Sequence, residues 1–190
     1  ITNQRETLAL FEPHNIHSKH KAIVWQCKRS QKICRNLLEK NLQNSIRQKT
    51  GLPIDPYFTA SKLKWVCEND PDLKSKLERG KLHWGTIDAF LLHQLTNGKA
   101  YSTEPSNAAR THLFNIKDGR WDPELLQMWE IPKAIKFPEV KSSIDSFGHT
   151  QNLDILPDGI PIRSVLGDQQ SALAGHLCFT KGEAKCTYGT

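Results

Sequence analysis

The chain has 190 residues, 37% hydrophobic and 24% charged, and a formal net charge of +6. That is enough chain for one hydrophobic core, and no apolar run approaches the ~20 residues a membrane helix needs, so membrane insertion is not expected. Cys27, Cys34, Cys67, Cys178 and Cys186 make an odd count with no C-x-x-C pair, which argues against a zinc site or a secreted disulfide framework and for free thiols in a cytoplasmic protein. The first residues, Ile1-Thr2-Asn3-Gln4-Arg5-Glu6, lack the basic head and apolar centre of a signal peptide, and the missing Met suggests a start inside a larger protein.

In chain order, Thr7–Phe11 and Ala22–Gln26 read as short strands of a hairpin. Arg29–Lys49 reads as one amphipathic helix with Ile33, Leu37, Leu42 and Ile46 on its inner face, stopped at Thr50-Gly51-Leu52-Pro53. From Lys19 to Lys49 there are nine basic residues and one acid, Glu39. Such a stretch is either a solvated helix face or a surface for nucleic acid or a partner, and the lack of interleaved aromatics beyond Trp25 favours the first. Helices follow at Thr59–Glu68, after Asp70-Pro71 up to Gly80, and at Ile87–Leu95, where Thr86 is the cap and Ile87, Phe90, Leu91 and Leu95 form the expected core stripe. A turn at Lys117-Asp118-Gly119-Arg120 precedes a helix capped by Asp122. Glu130–Asp158 reads as connection with one strand at Ser146–Thr150. Ile160–Leu166 reads as a strand that feeds a helix at Gly167-Asp168-Gln169-Gln170, and Gly182–Thr190 as a final strand. The alternation indicates an α/β fold.

Asp168 stands at a strand-to-helix junction, where α/β proteins collect ligands; it is either a base able to accept a hydroxyl proton or an ordinary cap. Gln169 can orient a polyol or simply face water. Arg5-Glu6 can donate to and accept from neighbouring hydroxyls, or form a surface pair. His14, His17 and His20 fit no metal-ligand spacing and read as loop, and Tyr188-Gly189-Thr190 as a turn rather than a phosphate loop.

Taken in order, Asn3-Gln4-Arg5-Glu6-Thr7, Ala22-Ile23-Val24-Trp25-Gln26, Gly51-Leu52-Pro53-Ile54-Asp55-Pro56-Tyr57-Phe58 and Gly167-Asp168-Gln169-Gln170 resemble the glycerol kinases of the FGGY carbohydrate kinase family. Lys62, Trp65, Glu68 and Asn69, with Ser106-Asn107-Ala108-Ala109-Arg110-Thr111, extend the resemblance over nearly the whole chain. It implies an actin-like, ribonuclease-H-type ATPase fold, of which residues 1–190 would be part of the first, substrate-binding domain. The N-terminal phosphate hairpin and the C-terminal nucleotide domain would lie outside it, and the fragment alone would be inactive. The implied reaction is ATP-dependent phosphorylation of glycerol to glycerol 3-phosphate in a cytoplasmic homo-oligomer, with a kinase for another sugar as the near alternative and a non-catalytic binding module as the distant one. By the same resemblance Arg5, Glu6, Tyr57, Asp168 and Gln169 would bind glycerol, and Trp25 would cover its carbons. Asp168 would be the base and a contact for Mg²⁺, and Thr190 would touch the ATP phosphates. Cys27 stands where the family commonly has Asp.

Overall fold

A computed structural model describes residues 1–15 and 20–188. Its main core joins β1 (Ala9–Phe11), α1 (Gln31–Glu39), α2 (Gln43–Thr50), α3 (Thr59–Asn69), α4 (Pro71–Glu78) and β2 (His83–Gly85) around Leu8, Leu37, Ile46, Leu63, Leu77, Trp84 and Trp129. β1 pairs antiparallel with β2, Leu10 opposite Trp84. The hairpin expected at 7–26 is reduced to one antiparallel bridge, Leu8 with Ile23. Beyond it the chain turns, the Cys27 amide donating to the Val24 carbonyl, and this turn carries Trp25.

The single helix expected over 29–49 is two. Asn41 takes a left-handed φ of 58°, which Asn tolerates better than most residues, and α1 ends there. The amide of Leu42 reaches back to the Leu37 carbonyl, so the apolar stripe continues from Leu37 to Ile46 across the break. Lys28, Arg29, Lys32, Arg35 and Arg47 are exposed on the opposite face. The stop at Gly51 (φ 74°) and the Asp70 cap, which accepts from the Leu73 amide, are as expected.

α5 (Ile87–Leu95) is rotated from the expected orientation: it buries Asp88, Ala89, Leu92 and His93, and leaves Leu91 39% exposed. Polar anchors decide the rotation. Asp88 accepts from the hydroxyls of Thr86 and Thr103, and His93 contacts the Pro13 carbonyl at 3.1 Å. Gly85 lies so close to Ala89 that a Cβ on it would meet the Ala89 methyl at 2.7 Å. Burial pushes the Asp88 carboxyl up to about 6.

β3 (Ser102–Thr103) leads into α6 (Pro105–Ala108); β4 (Phe114–Asn115) and β5 (Arg120–Trp121) form the hairpin around Gly119. α7 (Pro123–Met128) is capped by Asp122, and β6 (Glu139–Val140) pairs parallel with β3. Residues 143–150 and 159–165 form an irregular antiparallel ladder over Leu92, Phe147 and Val165. It ends in α8 (Asp168–Gly175), beside Thr2, which bridges Gly167 in parallel. Residues 182–188 form no strand, contrary to expectation, and residues 189–190 are outside the described part.

Candidate active site

The turn at residues 4–7 separates two adjacent charged side chains. Gln4 adopts φ 50° and its carbonyl accepts the Thr7 amide at 2.9 Å. Glu6 is buried to 4% exposure, and its Oε1 accepts Arg110 Nε at 2.6 Å. Arg5 instead donates through Nη1 to the Ser106 carbonyl and to Gln170 Oε1, both at 3.0 Å, and its Nε is 3.8 Å from Asp168 Oδ1.

Tyr57 stands before α3 in a turn made by Asp55, whose Oδ1 accepts the Tyr57 amide at 2.8 Å. Burial, and next to it the nearby Glu6 carboxylate, pushes the Tyr57 hydroxyl above its ordinary value. Trp25 packs at 5.6 Å from the Tyr57 ring, tilted by 52°, and is 37% exposed. Beneath them the Lys62 ammonium donates to the carbonyls of Pro56, Tyr57 and Phe58. Burial lowers this lysine to about 8, and three acceptors on one ammonium fix the loop that presents Tyr57. Trp25, Tyr57 and Glu6 thus make one wall: an indole face, a phenol donor and a carboxylate acceptor. Such a set suits a small molecule with hydroxyls on one side and C–H bonds on the other.

Asp168 is the first residue of α8, and Gly167, not Asp168, is the cap. The Asp168 amide donates to the Thr2 carbonyl at 2.7 Å, and the Gly167 amide to Ser106 Oγ at 2.9 Å. The carboxylate accepts the Gln169 amide at 2.8 Å and remains 41% exposed. Gln169 is turned towards Lys185 and Thr187, and Gln170 takes the place beside Arg5. Thr190 and His17 lie outside the described residues, among which no group of three or more His, Cys, Asp or Glu could hold a metal ion.

Cys27, one turn from Trp25, accepts Arg29 Nε at 3.1 Å, and Arg29 rests 4.4 Å over the Trp65 ring. Burial opposes ionisation of the thiol, but this hydrogen bond and the nearby charges of Arg29 and Lys62 outweigh it and lower the thiol below its ordinary value.

Sequence reasoning assigned no role to Glu104, Ser106 or Arg110. Glu104 is fully buried and caps α6 with a carboxylate that accepts five donors: the amides of Ser106 and Asn107, their side chains, and Ser143 Oγ. The rigid segment 104–110 therefore touches three site elements: Ser106 O holds Arg5, Arg110 holds Glu6, and Ser106 Oγ holds the backbone before Asp168. The available signal was Glu104-Pro105, an acidic cap ahead of a proline at the first helical position.

Residues 1–175 match the FGGY family of carbohydrate kinases, N-terminal domain. Over 190 residues the chain is 47% identical to a glycerol kinase of Bdellovibrio bacteriovorus; the match covers all of this chain and 38% of that protein. A crystal structure of Plasmodium falciparum glycerol kinase with ADP superposes with a TM-score of 0.91 at 36% identity, over 99% of this chain and 37% of that one. A xylulose kinase from Rhodospirillum rubrum, at 17% identity, shares the fold with a TM-score of 0.73, over 88% of this chain and 34% of that one. The chain thus spans little more than a third of the length of these relatives, and its fold is that of the N-terminal domain of the FGGY kinases, an actin-like ATPase fold.

Proposed function

The chain belongs to the FGGY family of carbohydrate kinases, and on that premise we propose that the complete protein is an ATP-dependent glycerol kinase. The observation that carries this reading is the wall formed by Glu6, Tyr57 and Trp25, set beside Arg5 and Asp168. A triol is small enough to meet all of them: Glu6 accepts from one hydroxyl, Arg5 and Tyr57 donate to others, and the Trp25 indole covers the carbon chain and excludes water. Gln169, whose side-chain oxygen accepts from Lys185 and Thr187, would have to turn back towards Asp168 to assist.

Asp168 is the base. Its exposed carboxylate takes the proton of a terminal hydroxyl as that oxygen bonds to the γ-phosphorus; the bond from phosphorus to the bridging β,γ-oxygen breaks and ADP leaves. Most of the rate in phosphoryl transfer comes from positioning and charge stabilisation. Arg5, held at three points, is placed to orient the hydroxyl beside Asp168. Mg²⁺, when bound with the nucleotide, offsets phosphate charge; a single carboxylate plus phosphate oxygens is a usual ligand set for that ion, and Asp168 fits the carboxylate part. Thr190 would contact the phosphates. A cytoplasmic homo-oligomer belongs to the same reading; no described helix is long and apolar enough to cross a membrane.

The test is a substrate panel on the complete protein, following ADP release and phosphorylated product with glycerol, xylulose and gluconate. Glycerol 3-phosphate as the preferred product is expected. Preference for the pentulose or the sugar acid would overturn the assignment.

A further inference from the structure

Resting on the glycerol reading, we infer that Arg110 is a positioning residue for substrate: it fixes the Glu6 carboxylate so that one oxygen is left to accept a glycerol hydroxyl.

Glu6 lies two residues after left-handed Gln4, in the turn closed by the bond from the Thr7 amide to the Gln4 carbonyl. Among the described residues its backbone carbonyl receives a long bond from Thr59 Oγ1, at 3.3 Å. What fixes its side chain comes from elsewhere in the chain. Arg110 Nε occupies Oε1 at 2.6 Å, a charge-assisted bond in a largely water-free place. Arg110 and its short bond to Oε1 restrict the plane of the carboxylate, which has about four acceptor positions. The positions they leave are the ones a ligand hydroxyl can use.

Arg110 is itself well supported. Its guanidinium carbon lies 5.0 Å over the Phe58 ring, its amide donates to the Asn107 carbonyl at 3.0 Å, and it follows directly on the segment anchored by buried Glu104. The side chain is 28% exposed, so no tight core packing depends on it. Arginine has the planar fork and the stacking face that this place uses, and lysine has neither. Among the described residues no hydrogen bond or ion pair joins Arg110 to Asp168 or Arg5, whereas its bond to Glu6 is direct, so its influence on the reaction is expected to run through Glu6.

The experiment is a double-mutant cycle on the complete protein: wild type, Arg110→Met, Glu6→Gln and the double variant, with Arg110→Lys as the conservative change. Arg110→Met is expected to raise the glycerol KM about ten- to a hundredfold, in line with loss of a charged hydrogen bond, with the ATP KM unchanged and kcat changed less than the glycerol KM. Arg110→Lys should recover part of that. In the Glu6→Gln background the same Arg110→Met change should add less than about threefold, because the interaction it breaks is already gone. A glycerol KM that does not move while the thermal midpoint falls would overturn the inference, and so would effects that multiply independently of Glu6. If Arg110→Met does not fold, Arg110→Lys and Glu6→Gln run the same cycle. If the wild type prefers another polyol, the cycle is run with that polyol, so the glycerol reading fails and the positioning role is still decided.

Discussion

The two ends of the proposed pocket are built on different principles. On the side of Glu6 and Tyr57, charged groups are buried and closely bonded: Lys62 spans three carbonyls and Glu6 takes Arg110 Nε at 2.6 Å, on a segment that Glu104 anchors for both sides. On the side of Asp168, α8 buries none of its residues, and the carboxylate is held by backbone placement and one loose ion pair. The difference separates recognition from chemistry. A binding wall gains from rigidity, since ordering it in advance removes an entropic cost from substrate binding. A base that must meet a hydroxyl and a phosphoryl group needs access, and rigid burial would take that away.

Three further substitutions probe that contrast. Asp168→Asn in the complete protein is expected to lower turnover about 10²- to 10⁴-fold while the thermal midpoint stays within a degree or two, because an exposed first-turn residue carries little stability. An unchanged rate would remove Asp168 as the base; a large loss of stability would erase the contrast. Glu104→Ala should act the other way round, destabilising by about 3 kcal/mol in denaturant melts, since buried donors lose their acceptor. A loss below about 1 kcal/mol would show that the 104–110 segment does not depend on its carboxylate.

The smallest effect is expected at Asp122, the α7 cap, outside both ends of the pocket. Burial alone would raise its carboxyl, but Lys49 at 2.7 Å, Asn115 and the amides of Glu124 and Leu125 outweigh it and hold it at about 2. A carboxyl lowered on folding stabilises above its unfolded pKa of about 4, and that contribution disappears as the pH falls from about 4 to about 2. Asp122→Ala should therefore cost about 1–2 kcal/mol at neutral pH and flatten this part of the acid limb. An acid limb identical to the wild type's would count against the cap's electrostatic role.

Much of the local architecture was legible because it is written in nearest-neighbour chemistry. Gly51, the Asp70-Pro71 and Asp122-Pro123 caps and the turn at Gly119 each specify backbone geometry within a few residues, and each stands as read. Where partners are distant, local reading failed. Apolar periodicity put Leu91 inward, but Asp88 and His93 are anchored by Thr103 and Pro13, and those bonds set the rotation of α5. The break at Asn41 was hidden for a similar reason: the stripe from Ile33 to Ile46 survives a change of helix. For the proposed site, Arg5, Glu6, Trp25, Tyr57 and Asp168 could be named from family resemblance, and the structure brings Arg5 beside Asp168 and Trp25 beside Tyr57. Arg110 and Glu104 could not be named, since their partners lie 104 positions away or within a network of neutral hydroxyls and amides.

Gly167 sets how closely Arg5 lies against the start of α8. Its φ of −62° is open to any residue, so conformation does not call for glycine there; space does. A methyl at that Cα would sit 2.7 Å from the Arg5 side chain and 2.9 Å from Gln170. The fit of Arg5 against the proposed base is thus gauged by a hydrogen atom, and a single carbon would act as a shim, prising the Arg5 side chain away from α8 and its carboxylate.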